Sequence, residues 1–560
     1  MKFSFFLPVR TGKKWVAICG LMIIPAAFLI FFFYIPLVNI VKFAFFSEKG
    51  FSLQNIFHII TDSYIVRVLI FTFKEAFVSA LVTLIIALPG AYIISHFRFR
   101  GKNFLVSLST IPFVLPSVLV ALGFILLFGK SGIVNSVLNA LGFHKTINLL
   151  YSFWGIILVH AFYNFPIPLR IIGAAWESLP EKYSYAAFSL GANRLETFLK
   201  VILPLLLPAI ISAFTLVFMF CFLSFVIILT IGGAKFATLE VSIYTYYNMF
   251  FDFKTGSALA FLQALFTLIF IYLYMKTGMI TARITEEKKL RIFKNLSETK
   301  TWRILTFIYL IFIFPVIFLP LFAIFLSAFM NPFSMKLTLM NFFSLFSGKF
   351  QYVTSIGIFK IILNSFLFAI FAMFVSDVLA ILVSYSIHGI KRFQNFFISI
   401  LMLPIAISPV TIAFAYIITF RNMNFIINSW IIIAVAHTII AFPFALRTLY
   451  SSIERMPGSM VFAAESLGLN RIRSFFCVDL PLLKPSIIVS SVFTFAISLG
   501  EFGATFMLYK NPYITMPVAL YRFISGRHFG VASAMGSVLF IFAFISFALL
   551  EKFKKEVSVI

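Results

Sequence analysis

Twelve long apolar runs constrain this 560-residue chain more than any other feature. They fall at about residues 17–43, 66–94, 104–128, 153–172, 202–231 and 257–279, then at 304–330, 357–386, 396–420, 430–449, 486–509 and 531–550. About 20 residues of α-helix cross the hydrocarbon layer of a bilayer, so each run is long enough to span it. Inside hydrocarbon the backbone must satisfy its own hydrogen bonds, so separated runs of this length fold as helices. Composition agrees: 62% of the residues are hydrophobic and only 11% are charged. A water-soluble domain carries about 25% charged residues, which makes lipid the main solvent here. The expected fold is an all-α membrane protein with about twelve transmembrane helices.

The net charge of +26 comes from 44 Lys and Arg against 18 Asp and Glu. Its placement argues against a nucleic-acid partner, because the basic residues cluster in alternate connections between runs. Arg98, Arg100 and Lys102 form one cluster, and Arg283, Lys288, Lys289, Arg291, Lys294, Lys300 and Arg303 a second. Lys391 and Arg392 form a third, and Lys552, Lys554 and Lys555 close the chain. The intervening connections carry only scattered lysines such as Lys49, Lys130 and Lys336. Positive loops stay in the cytoplasm, so this alternation predicts a multi-pass membrane protein with both termini cytoplasmic. Lys2, Arg10, Lys13 and Lys14 precede an apolar stretch from Val16 to about Phe46, too long for a signal-peptide core. The stretch reads as an uncleaved first span. The polar stretch Thr281–Arg303 is the one segment long enough to link domains, giving a first domain at 1–285, a basic linker at 286–303 and a second domain at 304–560.

These two domains are copies. His160 aligns with His437, a shift of 277 (437 − 160), and the register then holds without a gap. It pairs Phe165-Pro166 with Phe442-Pro443, Leu169-Arg170 with Leu446-Arg447, Glu177 with Glu454, and Pro180 with Pro457. It continues through Ala186-Ala187 with Ala463-Ala464, Ser189-Leu190-Gly191 with Ser466-Leu467-Gly468, and Asn193-Arg194 with Asn470-Arg471. Leu203-Pro204 and Leu480-Pro481 close it. Apolar runs resemble one another by composition, but Gly, Pro, Asn, Arg and Glu in ungapped register are a true repeat. Six runs per copy, an even number, orient both copies alike, so the repeat is parallel rather than inverted.

The best-matched stretch is the polar connection after the fourth run of each copy, Glu177–Pro204 and Glu454–Pro481. Its pattern predicts a short helix with Pro180 or Pro457 in the first turn. Ala186-Ala187 or Ala463-Ala464 permit close approach of another surface, and Gly191 or Gly468 suit a left-handed C-terminal cap. An amphipathic loop resting on the membrane is the simpler alternative, but it requires no fixed turn. This Ala-Ala…Gly…Leu-Pro order resembles the EAA loop of ABC-importer permeases, although Tyr185 and Phe462 stand where that motif has its leading Glu. The resemblance implies a type I importer permease fold as two parallel six-helix repeats. It further implies that Glu177, Ala186, Ala187, Gly191, Asn193, Arg194 and Pro204, with Glu454, Ala463, Ala464, Glu465, Gly468, Asn470, Arg471 and Pro481, face two ATP-binding subunits on the cytoplasmic side. Phe188 against Glu465 suggests that the two loops differ in their partner requirements.

Further strings are similar to the thiamine and ferric-iron branch of these permeases. They are Ile111–Leu138 and Ser224–Tyr244 in the first copy and Ser498–Ile524 in the second. The first-copy strings look closest to thiamine permeases; the second-copy string is shared with ferric-iron, sulfate and molybdate permeases. The resemblance implies a substrate delivered by a periplasmic or lipid-anchored binding protein, with thiamine ahead of ferric iron. Polar residues within the runs are costly in lipid and are candidates for the pathway or for helix interfaces. They include Lys74, Glu75, His160, Asn164, Asn364, Asp377, His437 and Glu501. His160 and His437 also fit bonding across helix interfaces, Lys74 and Glu75 fit the outer membrane boundary, and Glu501 fits either a domain interface or the path.

No catalytic constellation is evident. Gly129-Lys130-Ser131 lacks the earlier glycine of a phosphate-binding loop, since position 124 is Phe124. Cys19, Cys221 and Cys477 have no metal-ligand spacing. No metal site, no cofactor in this chain and no enzymatic activity of its own are expected, with ATP hydrolysis in a separate partner. An ion-coupled secondary transporter also suits twelve spans, but it would not need the doubled loop.

Overall fold

The computed structural model describes residues 11–47, 50–143, 146–285, 294–296, 300–331, 336–388, 394–456 and 458–557. Lys2, Arg10, Lys49, Lys288, Lys289, Arg291, Lys391, Arg392 and Pro457 lie outside the described residues, as does most of the 286–303 linker.

The first copy contributes α1 (Thr11–Leu29), α2 (Ser63–His96), α3 (Ser117–Phe128), α4 (Phe153–Asn164) and α5 (Pro166–Ser178). It continues with α6 (Lys182–Ser189), α7 (Leu203–Phe222), α8 (Leu239–Asn248) and α9 (Phe253–Thr285). The second copy contributes α10 (Lys300–Ala328), α11 (Ile358–His388), α12 (Pro409–Phe420), α13 (Trp430–Arg455) and α14 (Gly458–Ser466). It ends with α15 (Leu480–Leu499), α16 (Met516–Ser525) and α17 (Phe529–Val557). The fold is all-α, as expected, apart from two-residue β pairings such as Phe97–Arg98 beside Lys294–Asn295. The 277-residue register is structural too: α7 and α15 begin and end in step, as do α8 and α16.

Ten helices among the described residues are long and apolar enough to cross a membrane, or eleven if α4 and α5 form one bent span. The sequence expectation was about twelve, and proline explains the difference. The run at 396–420 is interrupted by Leu403–Ala406 and restarts at Pro409, leaving α12 only 12 residues long. The run at 104–128 is interrupted too, Ile111–Val114 being followed by Pro116, but the helix that restarts there still reaches a crossing length as Ser117–Ala140. A proline lacks the N–H that would continue the ladder, and its ring clashes with the preceding turn. The α4–α5 pair bends by 48° at Phe165-Pro166, whereas α13 continues unbroken through the matching Pro443. The first copy has a second proline, Pro168, in this turn, while the second has Ala445. Two lost bonds within three residues open the helix; a single one is accommodated.

The helices gather into two compact units that do not coincide with the chain halves. One holds Ala44–Leu345 and Phe523–Ser537; the other holds the residues up to Phe43, Phe346–Arg522 and the residues from Val538 on. Each unit therefore includes the leading helix of the other half. In the first unit, α10 packs Ile313 and Ile317 into a core with Leu84, Leu169 and Leu206, and Tyr309 donates to the Ile86 carbonyl at 3.1 Å. In the second, Tyr34, in the continuation of α1, donates to the Ile400 carbonyl at 2.9 Å, and Asn39 donates to the Thr419 hydroxyl at 3.0 Å.

Candidate functional site

The repeated loops adopt one conformation twice. α6 ends in a turn in which the Ala192 N–H donates to the Ala187 carbonyl at 3.0 Å and Gly191 has φ +84°. α14 ends with the Leu469 N–H donating to the Ala464 carbonyl at 3.2 Å and Gly468 at φ +89°. A six-to-one bond over a left-handed residue is the Schellman ending, which glycine adopts without the side-chain clash other residues meet. The left-handed cap expected at both glycines is present. Pro180 falls just ahead of α6, before the cap residue Glu181, rather than in its first turn.

Asn193 and Asn470 restart the chain as helix caps. The Asn193 carboxamide accepts from the Glu196 N–H at 2.9 Å and the Glu196 carboxylate accepts from the Asn193 N–H at 3.1 Å, closing a capping box. Asn470 accepts from the Arg473 N–H at 2.8 Å, without an acid to return the bond. Arg194 and Arg471 open these short helices. A π turn follows in each copy, Phe198–Ile202 and Phe475–Asp479. Each π turn ends just before the proline, with the Leu203 N–H donating to the Phe198 carbonyl and the Leu480 N–H to the Phe475 carbonyl.

The loops expose one face and bury the other. Ala187 and Ala464 are buried, while Ala186 and Ala463 face outward. Ahead of each glycine stands a bare leucine: Leu190 is 88% exposed and Leu467 84%. Glu177 and Glu454 are exposed at the entrances. Glu177 lies 4.0 Å from the Lys102 ammonium; burial draws the Lys102 pKa down and Glu177 opposes that fall. Glu465 is half-buried, whereas Phe188 at the matching position is exposed. At the root, Tyr92 packs on Trp176 in the first copy and Tyr385 on Phe475 in the second.

The polar residues within the spans form two buried clusters. In the first, His160 Nδ1 lies 2.5 Å from Glu75 Oε1, which also accepts from the Ser79 hydroxyl at 2.7 Å. His160 Nε2 lies 2.8 Å from the Ser224 hydroxyl, and Asn164 donates to the His160 carbonyl and to Cys221 Sγ. Glu75 Oε2 and Asn164 Oδ1 are buried without a hydrogen-bond partner. In the second cluster, His437 Nδ1 lies 2.7 Å from the Ser498 hydroxyl, and Nε2 lies 2.7 Å from the Thr505 hydroxyl and 3.2 Å from Glu501 Oε2. Glu501 further accepts from the N–H groups of Ala504 and Thr505 and from the Thr505 hydroxyl. Both histidines thus bond across helices, one of the two roles their sequence context allowed. Glu75 is fully buried among the helices, while its neighbour Lys74 is exposed with its ammonium over the Phe153 ring. Asp377 accepts from Ser490 and Ser491, and Asn364 donates to the Pro512 and Ile514 carbonyls. The partnership of Glu75 with His160 was not foreseen, because the two are 85 residues apart and only one belongs to the ungapped repeat.

Comparison with known proteins joins these features. Residues 87–284, which contain the first loop and its flanking helices, match the family model of the binding-protein-dependent transport system inner membrane component. The thiamine transport system permease protein of Brucella suis is 27% identical over 84% of this chain and 84% of its own length. That of Haemophilus influenzae is 25% identical over 88% of this chain and 90% of its own length. The ferric transport system permease protein of Actinobacillus pleuropneumoniae is 28% identical over 96% of this chain and 78% of its own length. The family match at residues 87–284, the all-α multi-pass architecture and the doubled loop together support an inner-membrane permease of the ABC-importer type.

Proposed function

We propose that this permease carries thiamine across the inner membrane, and that each repeated loop docks one separate ATP-binding subunit on the cytoplasmic side. The observation that carries the docking assignment is the matched pair of exposed leucines, Leu190 and Leu467, each held on a glycine-capped turn. Exposure of an apolar leucine to water is unfavourable, and its burial in a partner's cleft would contribute about 1.5–3 kcal/mol. Docking at those loops places both termini in the cytoplasm, in agreement with the basic clusters. A periplasmic or lipid-anchored binding protein delivers the substrate to the opposite face, and ATP is hydrolysed by the partners, not by this chain. Thiamine leads because relatives named for thiamine transport match over most of their own length. Ferric iron is the second reading, favoured by a relative named for ferric transport that aligns with 96% of this chain.

The test is reconstitution of the chain with its candidate ATP-binding and substrate-binding proteins in proteoliposomes. ATP hydrolysis stimulated by thiamine and indifferent to iron is the expected result. Stimulation by ferric iron alone would replace the substrate, and uptake without any ATP-binding subunit would refute the docking assignment.

A further inference from the structure

We propose that His160 and His437 are positioning residues that tie together the two helices flanking each docking loop, at the ends farthest from the loop. We further propose that the carboxylate serving each tie has been relocated between the two copies. The inference rests on reading the loops as ATPase docking sites.

The loop α6 is entered from α5 and left through α7; α14 is entered from α13 and left through α15. His437 lies 17 residues before Glu454 (454 − 437), about 25 Å along an α-helix that rises 1.5 Å per residue. At that level it meets Ser498, in the last turn of α15, and Glu501 and Thr505 just beyond. In the first copy His160 on α4 meets Ser224, just past the end of α7. In the second copy a force on the loop therefore acts on α13 and α15, joined through the loop and again at the far end, so they move as one lever; in the first copy the same tie reaches α5 through α4, across the 48° bend at Phe165-Pro166.

The acid meets the histidine from opposite sides in the two copies, at Nδ1 of His160 and at Nε2 of His437. Thr72 accepts from the Leu239 N–H at 3.1 Å, and Ser365 accepts from the Met516 N–H at 2.7 Å. Leu239 and Met516 each begin a matched helix of the 277 register, so Thr72 and Ser365 are equivalent, at a shift of 293 (365 − 72). That shift brings buried Ile65, Val68, Ala76 and Ala87 onto buried Ile358, Ile361, Ala369 and Ala380. It also sets Glu75 opposite Phe368, whose ring stands edge-on to His437 at 6.1 Å between centroids. The 277 register sets Glu501 opposite Ser224. Each copy thus holds one acid at its histidine, from α2 in the first and from beyond α15 in the second, with Phe368 or Ser224 at the vacated position. Two acids at one histidine would repel in a low-dielectric interior, and none would leave a buried imidazole nitrogen without its carboxylate partner.

The test uses the reconstituted transporter and reads two quantities separately, ATP hydrolysis and substrate moved per ATP. The probe is radiolabelled thiamine, or ferric iron if that alone enters with the wild type. The variants are E75Q, E75F, S224E and the exchange E75F/S224E. E75Q, close in size to the wild type and still able to accept from Ser79, is expected to keep hydrolysis while moving about ten-fold less substrate per ATP, within the usual span of coupling effects. E75F alone should be as poor or worse, and E75F/S224E should restore coupling to within about three-fold of wild type. Wild-type coupling in E75Q would overturn the tie. An exchange variant no better than E75F, at equal yield in the membrane, would overturn the relocation. A wild type whose hydrolysis and transport are unlinked would refute the docking reading beneath it.

Discussion

His160 and His437 stand at equivalent turns of the two copies, yet their surroundings differ in how completely they are satisfied. Glu501 receives two backbone N–H groups and a hydroxyl besides its histidine, and so also caps the short helix Gly503–Leu508. Glu75 receives one hydroxyl and its histidine, and its second oxygen is bare. What the repeat retains is a contact between imidazole and carboxylate, not the residues that make it. Because the acid in the second copy also organises local backbone, the two copies are unequal in how freely that acid can be moved.

The sharpest way to break this comparison is to remove each acid. Glu501→Ala strips a buried histidine and three further donors of their acceptor, and breaking a buried charged pair costs about 3–5 kcal/mol. Glu75→Ala orphans fewer groups, and each buried group left unsatisfied costs about 1–3 kcal/mol. Thermal unfolding in detergent should therefore place E501A below E75A, and the reverse order would remove the asymmetry. The exchange should likewise be one-sided: F368E/E501S should stay impaired in transport where E75F/S224E recovers, because a glutamate at 368 cannot cap Gly503–Leu508 in place of Glu501.

Smaller effects compare the loops. Leu190→Ser and Leu467→Ser should each weaken ATP-binding subunit association by about 1.5–3 kcal/mol, measured by titration of the purified chain. Gly191→Val and Gly468→Val meet no neighbouring atoms but force a β-branched residue into a left-handed turn. That costs about 1–2 kcal/mol; membrane insertion should be intact, while docking of the ATP-binding subunit, and transport with it, is lost. Smallest of all, Asn193→Ala should cost about 1 kcal/mol through its cap. Asn470→Ala should cost somewhat less, since Arg473 cannot complete the box that Glu196 closes; equal losses would show that the box adds nothing.

Much of this was legible in the sequence where the physics is local. Ala-Ala-x-Ser-Leu-Gly in register carried the capped turn, because only a glycine suits that φ. The span positions followed from hydropathy, but their breaks at Pro116 and Pro409 were read as continuous helix. Hydropathy averages over a proline that costs only one or two hydrogen bonds. Nothing in an apolar run says which bundle it joins, so the exchange of α1 and α10 between the units was invisible, although Tyr34 and Tyr309 make the bonds that mark it. Glu75 was hidden by its change of register: a shift of 293 in α2 against 277 beyond the fourth span conceals its equivalence with Phe368.

The central claim is that the two loops are separate docking sites for two ATP-binding subunits. Native mass spectrometry of the purified complex tests it directly. The account predicts two ATP-binding subunits on the wild-type chain, one on G191V or on G468V, and none on G191V/G468V. Two subunits retained by the double variant would contradict it.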